Sequence, residues 1–162
     1  MEKEDNFHTV RGYEIIDKRQ KVLTHSMEDY LEMIYRNSLQ DGYTRINELS
    51  ESLNVQAPSA TKMVQKLYKI GLLHYKKYGI ILLTEEGKAL GRFLYKRHIT
   101  IEDFLNLIGV KDNLLMNTEL IEHSVSNHTL IKIEYLILFF QHHPDLLNSY
   151  HEFIKQQNKI CF

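Results

Sequence analysis

The sequence predicts a mainly α-helical fold that contains one small β-hairpin. Three observations support this prediction. Apolar residues recur at spacings of three and four from residue 26 onward, a short apolar stretch interrupted by a turn follows near residue 79, and the helical spacing then resumes. With 162 residues, of which 43% are hydrophobic, the chain can bury a core as one domain or as two small ones.

The sequence predicts three helices and a hairpin before residue 84. Ser26 is the expected N-cap of the first helix, which runs to about Asn37, and Asp41-Gly42 separates it from a short second helix. Pro58 suits the first turn of a third helix, which buries an apolar stripe and leaves a polar, basic face outside. Two short strands around a tight turn follow. This order is typical of a winged helix-turn-helix with a small two-stranded wing.

The rest of the chain is predicted to be all helical. Thr84 caps a long helix that Gly109 stops, and further helices are expected over about 113–125, over about 128–142 and after Pro144. Residues 130–140 are nearly all apolar, which fits either a central core helix or a subunit interface. We expect an interface, because helix-turn-helix proteins usually pair to match two DNA half-sites.

The net charge of −1 hides an uneven distribution along the chain. Residues 57–97 carry 9 basic and 2 acidic side chains, a net charge of +7, whereas residues 1–56 and 98–162 each have a net charge of −4. Such a basic segment is typical of a phosphate-binding surface, although a solvated helix face can carry similar charge. The third helix followed by a basic hairpin favours double-stranded DNA as the partner. The predicted DNA-binding residues are Pro58, Ser59, Thr61, Lys62, Gln65, Lys66, Lys76 and Lys77.

Six carboxylate and imidazole side chains flank the basic segment, and these are Asp29, Glu32, His98, Glu119, Glu122 and His123. The first two are three residues apart and the last three lie at i, i+3 and i+4, so that each group would project from one face of a helix. Oxygen and imidazole ligands without thiolate suit Mn²⁺, Fe²⁺ or Zn²⁺, and the many carboxylates favour Mn²⁺. Each residue taken alone also has an ordinary structural explanation, such as a helix-surface carboxylate or a hydrogen-bonded histidine.

Three stretches of sequence carry a resemblance to a known family. They are residues 26–35 (SMEDYLEMIY), residues 58–67 (PSATKMVQKL) and the triplet Ile121-Glu122-His123. Together and in this order they resemble the manganese-responsive branch of the diphtheria-toxin-repressor family. The resemblance covers the chain from about Ser26 to the C-terminal helices. It implies a homodimeric, manganese-activated transcriptional repressor of metal-uptake genes, and not an enzyme.

The resemblance also implies roles for individual residues and segments. It assigns the six carboxylate and imidazole residues to a pair of Mn²⁺ ions per subunit. In the iron-responsive branch the positions of Asp29 and Glu119 carry Met and Cys, so the carboxylates here disfavour an iron-type site and leave Fe²⁺ or Zn²⁺ as non-cognate metals. The implied division is an N-terminal extension (1–25), a winged helix-turn-helix domain (26–95) and a helical metal-binding and dimerisation domain (96–162).

The chain departs from the family pattern in three places. Gly79 stands where the wing has a basic residue, the linker between His98 and Glu119 is one residue shorter, and the extension before Ser26 has no counterpart in the short relatives. Lys76 and Lys77 could supply the charge that Gly79 lacks. We therefore expect Lys76 and Lys77 to substitute for the one backbone or minor-groove contact that Gly79 puts in question.

Other functional classes remain open or are disfavoured. A carboxylate-bridged dinuclear metalloenzyme of the ferritin-like kind would need a Glu-x-x-His pair on each of two helices, and the sequence contains no Glu-x-x-His. A winged-helix regulator that responds to iron or to a non-metal ligand is the other alternative. No apolar run approaches the roughly 18 residues of a membrane helix, so we expect a cytoplasmic protein with no membrane partner and no small organic substrate. The lone Cys161 excludes an intrachain disulfide and a cysteine-based zinc site.

Overall fold

The structure is a computed structural model that describes residues 23–160, so that residues 1–22 of the predicted extension and Cys161 lie outside the described residues. The chain divides into two compact units, of which the first ends at Lys96 and the second begins at Arg97. Within the described range lie seven α-helices and three short β-strands. The predicted mainly helical fold is therefore confirmed. None of the helices in this range is long and apolar enough to cross a membrane.

The first unit opens with three helices, α1 (His25–Asn37), α2 (Ile46–Ser52) and α3 (Ala57–Lys69). Thr24, two residues before the predicted cap, is the N-cap of α1, because its Oγ1 accepts a hydrogen bond of 3.3 Å from the backbone N–H of Met27. Gly42 adopts a positive φ of 77° in the break that follows α1, as its place in the predicted turn requires. Pro58 lies in the first turn of α3, as predicted.

A small antiparallel sheet forms the wing of the first unit. The strands β1 (Thr44–Arg45), β2 (Leu73–Tyr75) and β3 (Ile80–Leu83) are ordered β1-β3-β2. β2 and β3 are the predicted hairpin, in which Leu73 pairs with Leu83. β1 is an addition that the sequence did not reveal, since two residues are too few to show the alternation of a strand. It places Thr44 opposite Ile81 and leads directly into α2.

The long helix α4 (Glu85–Leu107) belongs to the first unit through Lys96 and continues into the second. Thr84 caps it as predicted, because its Oγ1 accepts a hydrogen bond of 3.0 Å from the backbone N–H of Gly87. The apolar residues of α1, α2, α3, the wing and α4 form the core of the first unit, and its largest fully buried side chains are those of Leu31, Ile34, Leu49, Val64, Leu67, Leu72, Leu73, Ile81, Leu90 and Leu94. This core holds α3 with its polar face outward.

The second unit contains the end of α4 followed by α5 (Leu114–Glu122), α6 (Asn127–His142) and α7 (Pro144–Ile160). Ser126 caps α6 by accepting a hydrogen bond of 3.2 Å from the backbone N–H of Thr129. Two side chains join α7 to the end of α4, since the Tyr150 hydroxyl donates to the Ile108 carbonyl (3.4 Å) and His151 Nε2 donates to the Leu107 carbonyl (2.9 Å).

The apolar stretch at residues 130–140 is largely a surface of α6. Leu130 and Ile137 are buried, whereas Tyr135, Leu136, Leu138 and Phe139 are between 40% and 59% exposed. Large exposed apolar side chains that lie together on a small protein usually mark an interaction surface. The exposure therefore agrees with the predicted subunit interface and disagrees with a central core helix.

Candidate metal centre and nucleic-acid interface

In the first unit, α1 carries two of the predicted metal ligands. Asp29 and Glu32 are separated by one turn of this helix, so both project from the same side. Glu32 is only 6% exposed, and its Oε1 accepts a 3.5 Å contact from Arg36 Nη1. A buried carboxylate is stable only where positive charge or hydrogen bonds compensate its desolvation. Glu32 is therefore suited to bind a cation.

In the second unit, His98 and Glu122 form a buried hydrogen-bonded pair. His98 Nδ1 donates to Glu122 Oε2 over 3.1 Å, and the two residues are 5% and 2% exposed. An ionised carboxylate can only accept, so the proton of a neutral His98 ring lies on Nδ1 and its lone pair lies on Nε2. A carboxylate that fixes the tautomer of a histidine in this way is a recurrent feature of metal centres.

His123 lies beside Glu122 at the C-cap of α5. Its Nε2 is 3.8 Å from Glu122 Oε1, while its Nδ1 is 3.2 Å from the Arg97 side-chain nitrogen Nη2. Arg97 is itself only 6% exposed. A guanidinium can only donate, so Nδ1 accepts in this contact and the proton of the neutral ring is on Nε2.

The second unit thus brings together three of the four ligands predicted for it, His98, Glu122 and His123. The fourth, Glu119, is exposed on α5, one turn before His123. Arg97 is not among the residues predicted from the sequence. Its position directly before His98 in the sequence was the available signal, but the charge of one arginine in a basic segment does not reveal a buried contact.

These donors fit a divalent cation. They supply carboxylate oxygens and imidazole nitrogens without thiolate, a combination that suits hard and borderline metals. The carboxylates of Glu32 and Glu122 are both buried, so each benefits from a positive charge nearby. In each unit, the chemistry of these donors is compatible with binding a divalent cation.

The predicted DNA-binding face of α3 lies on the surface. Pro58, Ser59, Lys62, Gln65 and Lys66 are exposed, and Lys76 and Lys77 are exposed in the wing. Thr61 is half-buried, and its hydroxyl donates to the Ala57 carbonyl over 2.8 Å, so that its oxygen remains an acceptor. The opposite side of α3 is anchored by the fully buried residues Ala60, Val64 and Leu67. This arrangement presents polar and basic groups on one rigid face.

Two family models match the chain. The N-terminal DNA-binding domain of the iron-dependent repressors matches residues 22–81, and their metal-binding and dimerisation domain matches residues 84–148. Asp29 and Glu32 fall in the first match, and the other four predicted ligands fall in the second. The boundary between the two matches lies just before α4.

Curated relatives match over most of their length. The chain is 41% identical to the HTH-type transcriptional regulator MntR of Listeria welshimeri over 127 residues, which is 78% of this chain and 89% of the relative. It is also 41% identical over 127 residues to the protein of the same name from Lysinibacillus sphaericus, covering 78% of this chain and 91% of the relative.

Solved structures share the fold and are longer than this chain. The manganese regulator SloR has a TM-score of 0.62 and 31% identity over 70% of this chain and 54% of its own. The metal-dependent transcriptional regulator MtsR has a TM-score of 0.63 and 30% identity with the same coverage. The match thus spans about half the length of those structures. Because the two family models together span most of the sequence, the chain belongs to the iron-dependent repressor family, whose members join a DNA-binding domain to a metal-binding and dimerisation domain.

Proposed function

We propose that this protein is a manganese-activated transcriptional repressor that binds operator DNA as a homodimer and controls metal-uptake genes. The observation that carries the proposal is the buried His98–Glu122 pair with His123 beside it, within the part of the chain that matches the metal-binding domain. The similarity to regulators named MntR and to the manganese regulator SloR supports manganese as the metal.

We propose that two Mn²⁺ ions per subunit are held by Asp29, Glu32, His98, Glu119, Glu122 and His123. Four of these six residues are carboxylates, which suit Mn²⁺ better than the softer metals. When bound, the metal supplies positive charge that offsets the buried carboxylates. His98 contributes a nitrogen lone pair whose position Glu122 fixes, and Asp29 and Glu119 contribute hard oxygens where an iron-type site would have sulfur.

The response to metal follows from how the ligands are distributed between domains. Asp29 and Glu32 belong to the DNA-binding domain, whereas His98 and the ligands of α5 belong to the dimerisation domain. Ligands that share a metal must hold their domains in one orientation, which fixes the two α3 helices of a dimer about 34 Å apart, one turn of DNA. By linkage, operator DNA should then tighten metal binding by the same factor as metal tightens DNA binding.

We further propose that α3 and the wing contact DNA and that a second copy of the chain packs on α6. Pro58, Ser59, Thr61, Lys62, Gln65 and Lys66 of α3 would contact base edges and phosphates in the major groove, and Lys76 and Lys77 of the wing would contact phosphates. The exposed apolar surface of α6 would be covered by a second copy of the chain. The domain division at residues 26–95 and 96–162 is part of this proposal.

Titration of the full-length protein on labelled DNA from upstream of its own gene and of a manganese-transporter gene tests the proposal. Fluorescence anisotropy with and without Mn²⁺ should show binding that tightens on addition of the metal. Glu122→Ala should abolish this tightening. Asp103→Asn, which changes an exposed carboxylate of α4 outside the ligand set, should respond like the wild-type protein. Equal affinity with and without Mn²⁺ would refute the proposal.

A further inference from the structure

The tip of the wing presents one aromatic side chain to solvent. Tyr78 is 89% exposed, more than any other large apolar residue in the described part of the chain. A phenol ring combines a large apolar face with one polar group, so it gains most from a partner that is itself partly apolar and partly polar. In the isolated chain, the ring of Tyr78 buries almost none of its surface.

The backbone of Tyr78 is held in a conformation that suits another residue better. Its φ of 64° and ψ of 24° lie in the left-handed region, which a bulky side chain rarely adopts and which Gly or Asn adopts readily. A strained position of this kind, occupied by a large residue that makes no core contact, indicates a function for the side chain. Asn at this position would adopt the backbone conformation of the turn at a lower energetic cost.

Backbone contacts support the turn that carries Tyr78. The backbone N–H of Lys76 donates to the Ile80 carbonyl over 2.9 Å and closes the turn beneath Tyr78. Gly79, the next residue, is backed by Ile46 of α2, whose side chain lies 3.6 Å from the place that a Cβ on Gly79 would occupy. The turn at the tip of the wing is therefore held in place by these contacts.

The surroundings of Tyr78 select a polyanion as the partner. Lys76 and Lys77 beside it are exposed, and the sequence contains no acidic residue between positions 57 and 84. The same unit carries Lys62 and Lys66 on the exposed face of α3. An aromatic ring flanked by cations fits nucleic acid, where lysines meet phosphates and a ring packs on sugars or on an unstacked base step.

We propose that Tyr78 is a DNA-contacting residue whose ring packs into the groove of duplex DNA while Lys76 and Lys77 meet the flanking phosphates. The proposal rests on the function proposed above. The ring contributes by leaving water, a contribution that does not involve counterions. Its effect on affinity should therefore be independent of salt, in contrast to that of the lysines.

The test compares Tyr78→Asn, Tyr78→Phe and Lys77→Ala in the full-length protein with Mn²⁺ and the DNA fragments above, at several salt concentrations. Tyr78→Asn should weaken DNA binding about tenfold with an unchanged salt slope, because it removes an apolar contact in the groove without removing a charge. The same variant should unfold at a higher temperature than the wild-type protein, because Asn tolerates the left-handed backbone. Tyr78→Phe should keep most of the affinity.

Lys77→Ala provides the matched control, since it should lower the salt slope by about one. A Tyr78→Asn variant that binds DNA as the wild-type protein does, or that loses affinity only through a smaller salt slope, overturns the proposal and leaves the repressor function standing. A wild-type protein that fails to bind duplex DNA with Mn²⁺ overturns both. The two failures are thus distinguishable.

A second measurement uses the absence of tryptophan from the sequence. Tyr78→Trp introduces a single fluorophore, whose emission duplex DNA should quench and shield from acrylamide. Phe153→Trp, on an exposed position of α7, should show neither effect. If DNA quenches the emission at neither position, the proposal is overturned in favour of no partner. If the wing fluorophore does not respond to DNA but shifts to the blue on vesicles of phosphatidylglycerol, the proposal is overturned in favour of an anionic membrane surface.

Discussion

Glu122 Oε2 accepts a 3.1 Å hydrogen bond from His98 Nδ1 in the interior of the second unit, and the two residues are 24 positions apart in the sequence. The bond joins α5 to α4 and at the same time selects the tautomer of His98. One carboxylate thus has a structural role in the folded chain and a proposed role toward a cation. The two roles can be separated by substitution.

Glu122→Gln should separate them, because a Gln carbonyl still accepts from His98 Nδ1 but carries no charge. We expect the free energy of unfolding of the metal-free protein to fall by no more than about 2 kcal/mol, the scale of a hydrogen bond to a charged group. The affinity for Mn²⁺ should fall by more than about tenfold, since the proposed ligand is lost. Thermal denaturation and calorimetric titration measure the two quantities. Equal Mn²⁺ affinity in wild-type and variant would contradict the ligand assignment.

Arg97→Gln should raise the affinity for Mn²⁺. His123 can bind a metal through Nε2 only if its proton lies on Nδ1, but Arg97 is a donor 3.2 Å from Nδ1 and favours the opposite tautomer. A Gln oxygen at this place would accept from Nδ1–H instead, and such outer contacts change metal affinity by about 10- to 100-fold. Competition with a fluorescent chelator measures the change. Arg92→Gln, a matched exposed arginine on α4, should leave the affinity unchanged. A weaker affinity for Mn²⁺ in Arg97→Gln would contradict the proposal that Arg97 favours the His123 tautomer that cannot bind metal through Nε2.

Asp29→Met should weaken discrimination between metals. A thioether is a softer ligand than a carboxylate, so the affinity for Mn²⁺ should fall more than the affinities for Fe²⁺ and Zn²⁺. Parallel titrations with the three metals under reducing conditions give the ratios, and Asp103→Asn serves as the control. Affinities that fall equally for all three metals would show that Asp29 does not set the preference.

Much of the fold could be predicted because its signals are local. Pro58 and Thr84 mark helix starts through backbone chemistry that acts within a few residues, and both lie where the sequence places them. The sequence predicted Ser26 and not Thr24 as the N-cap of α1, because both residue types can cap a helix. Only the hydrogen bond from the Met27 N–H to Thr24 Oγ1 distinguishes them. The conformation of Tyr78 was missed for a different reason, since a left-handed φ at a tyrosine contradicts its local preference.

The candidate site was harder to predict than the fold. The spacing of Glu119, Glu122 and His123 predicts one helical face, but α5 ends at Glu122 and His123 is its C-cap. Arg97 entered the site through a contact with a residue 26 positions away, and no periodicity reports such a contact. The residue types in a sequence can predict which side chains belong to a site. Which of those side chains contact each other depends on tertiary packing and cannot be predicted in this way.

Gly87→Ala should destabilise the first unit strongly. A Cβ at this position would overlap the carbonyl oxygen of Leu72, which also accepts from the backbone N–H of Thr84 over 3.1 Å. Because the obstacle is backbone and cannot rotate away, we expect a loss of about 2 kcal/mol or more in the free energy of unfolding. Chemical denaturation measures it. Lys88→Ala, on the same turn but exposed, should change stability by less than about 0.5 kcal/mol. Equal stability of the two variants would contradict the close packing of α4 against the backbone of Leu72.

Phe139→Glu should convert the proposed dimer into a monomer. Phe139 is 45% exposed on α6, within the apolar surface that includes Tyr135, Leu136 and Leu138, and a second copy would bury all of them. A carboxylate there would be desolvated without a partner on association, which costs several kcal/mol and is enough to dissociate a micromolar dimer. Sedimentation velocity should show this shift with the helical content unchanged, because the side chain is at the surface of the isolated chain. Gln141→Glu adds the same charge at a polar, exposed position of the same helix and should remain dimeric. A Phe139→Glu protein that sediments as the wild-type dimer would place the interface elsewhere.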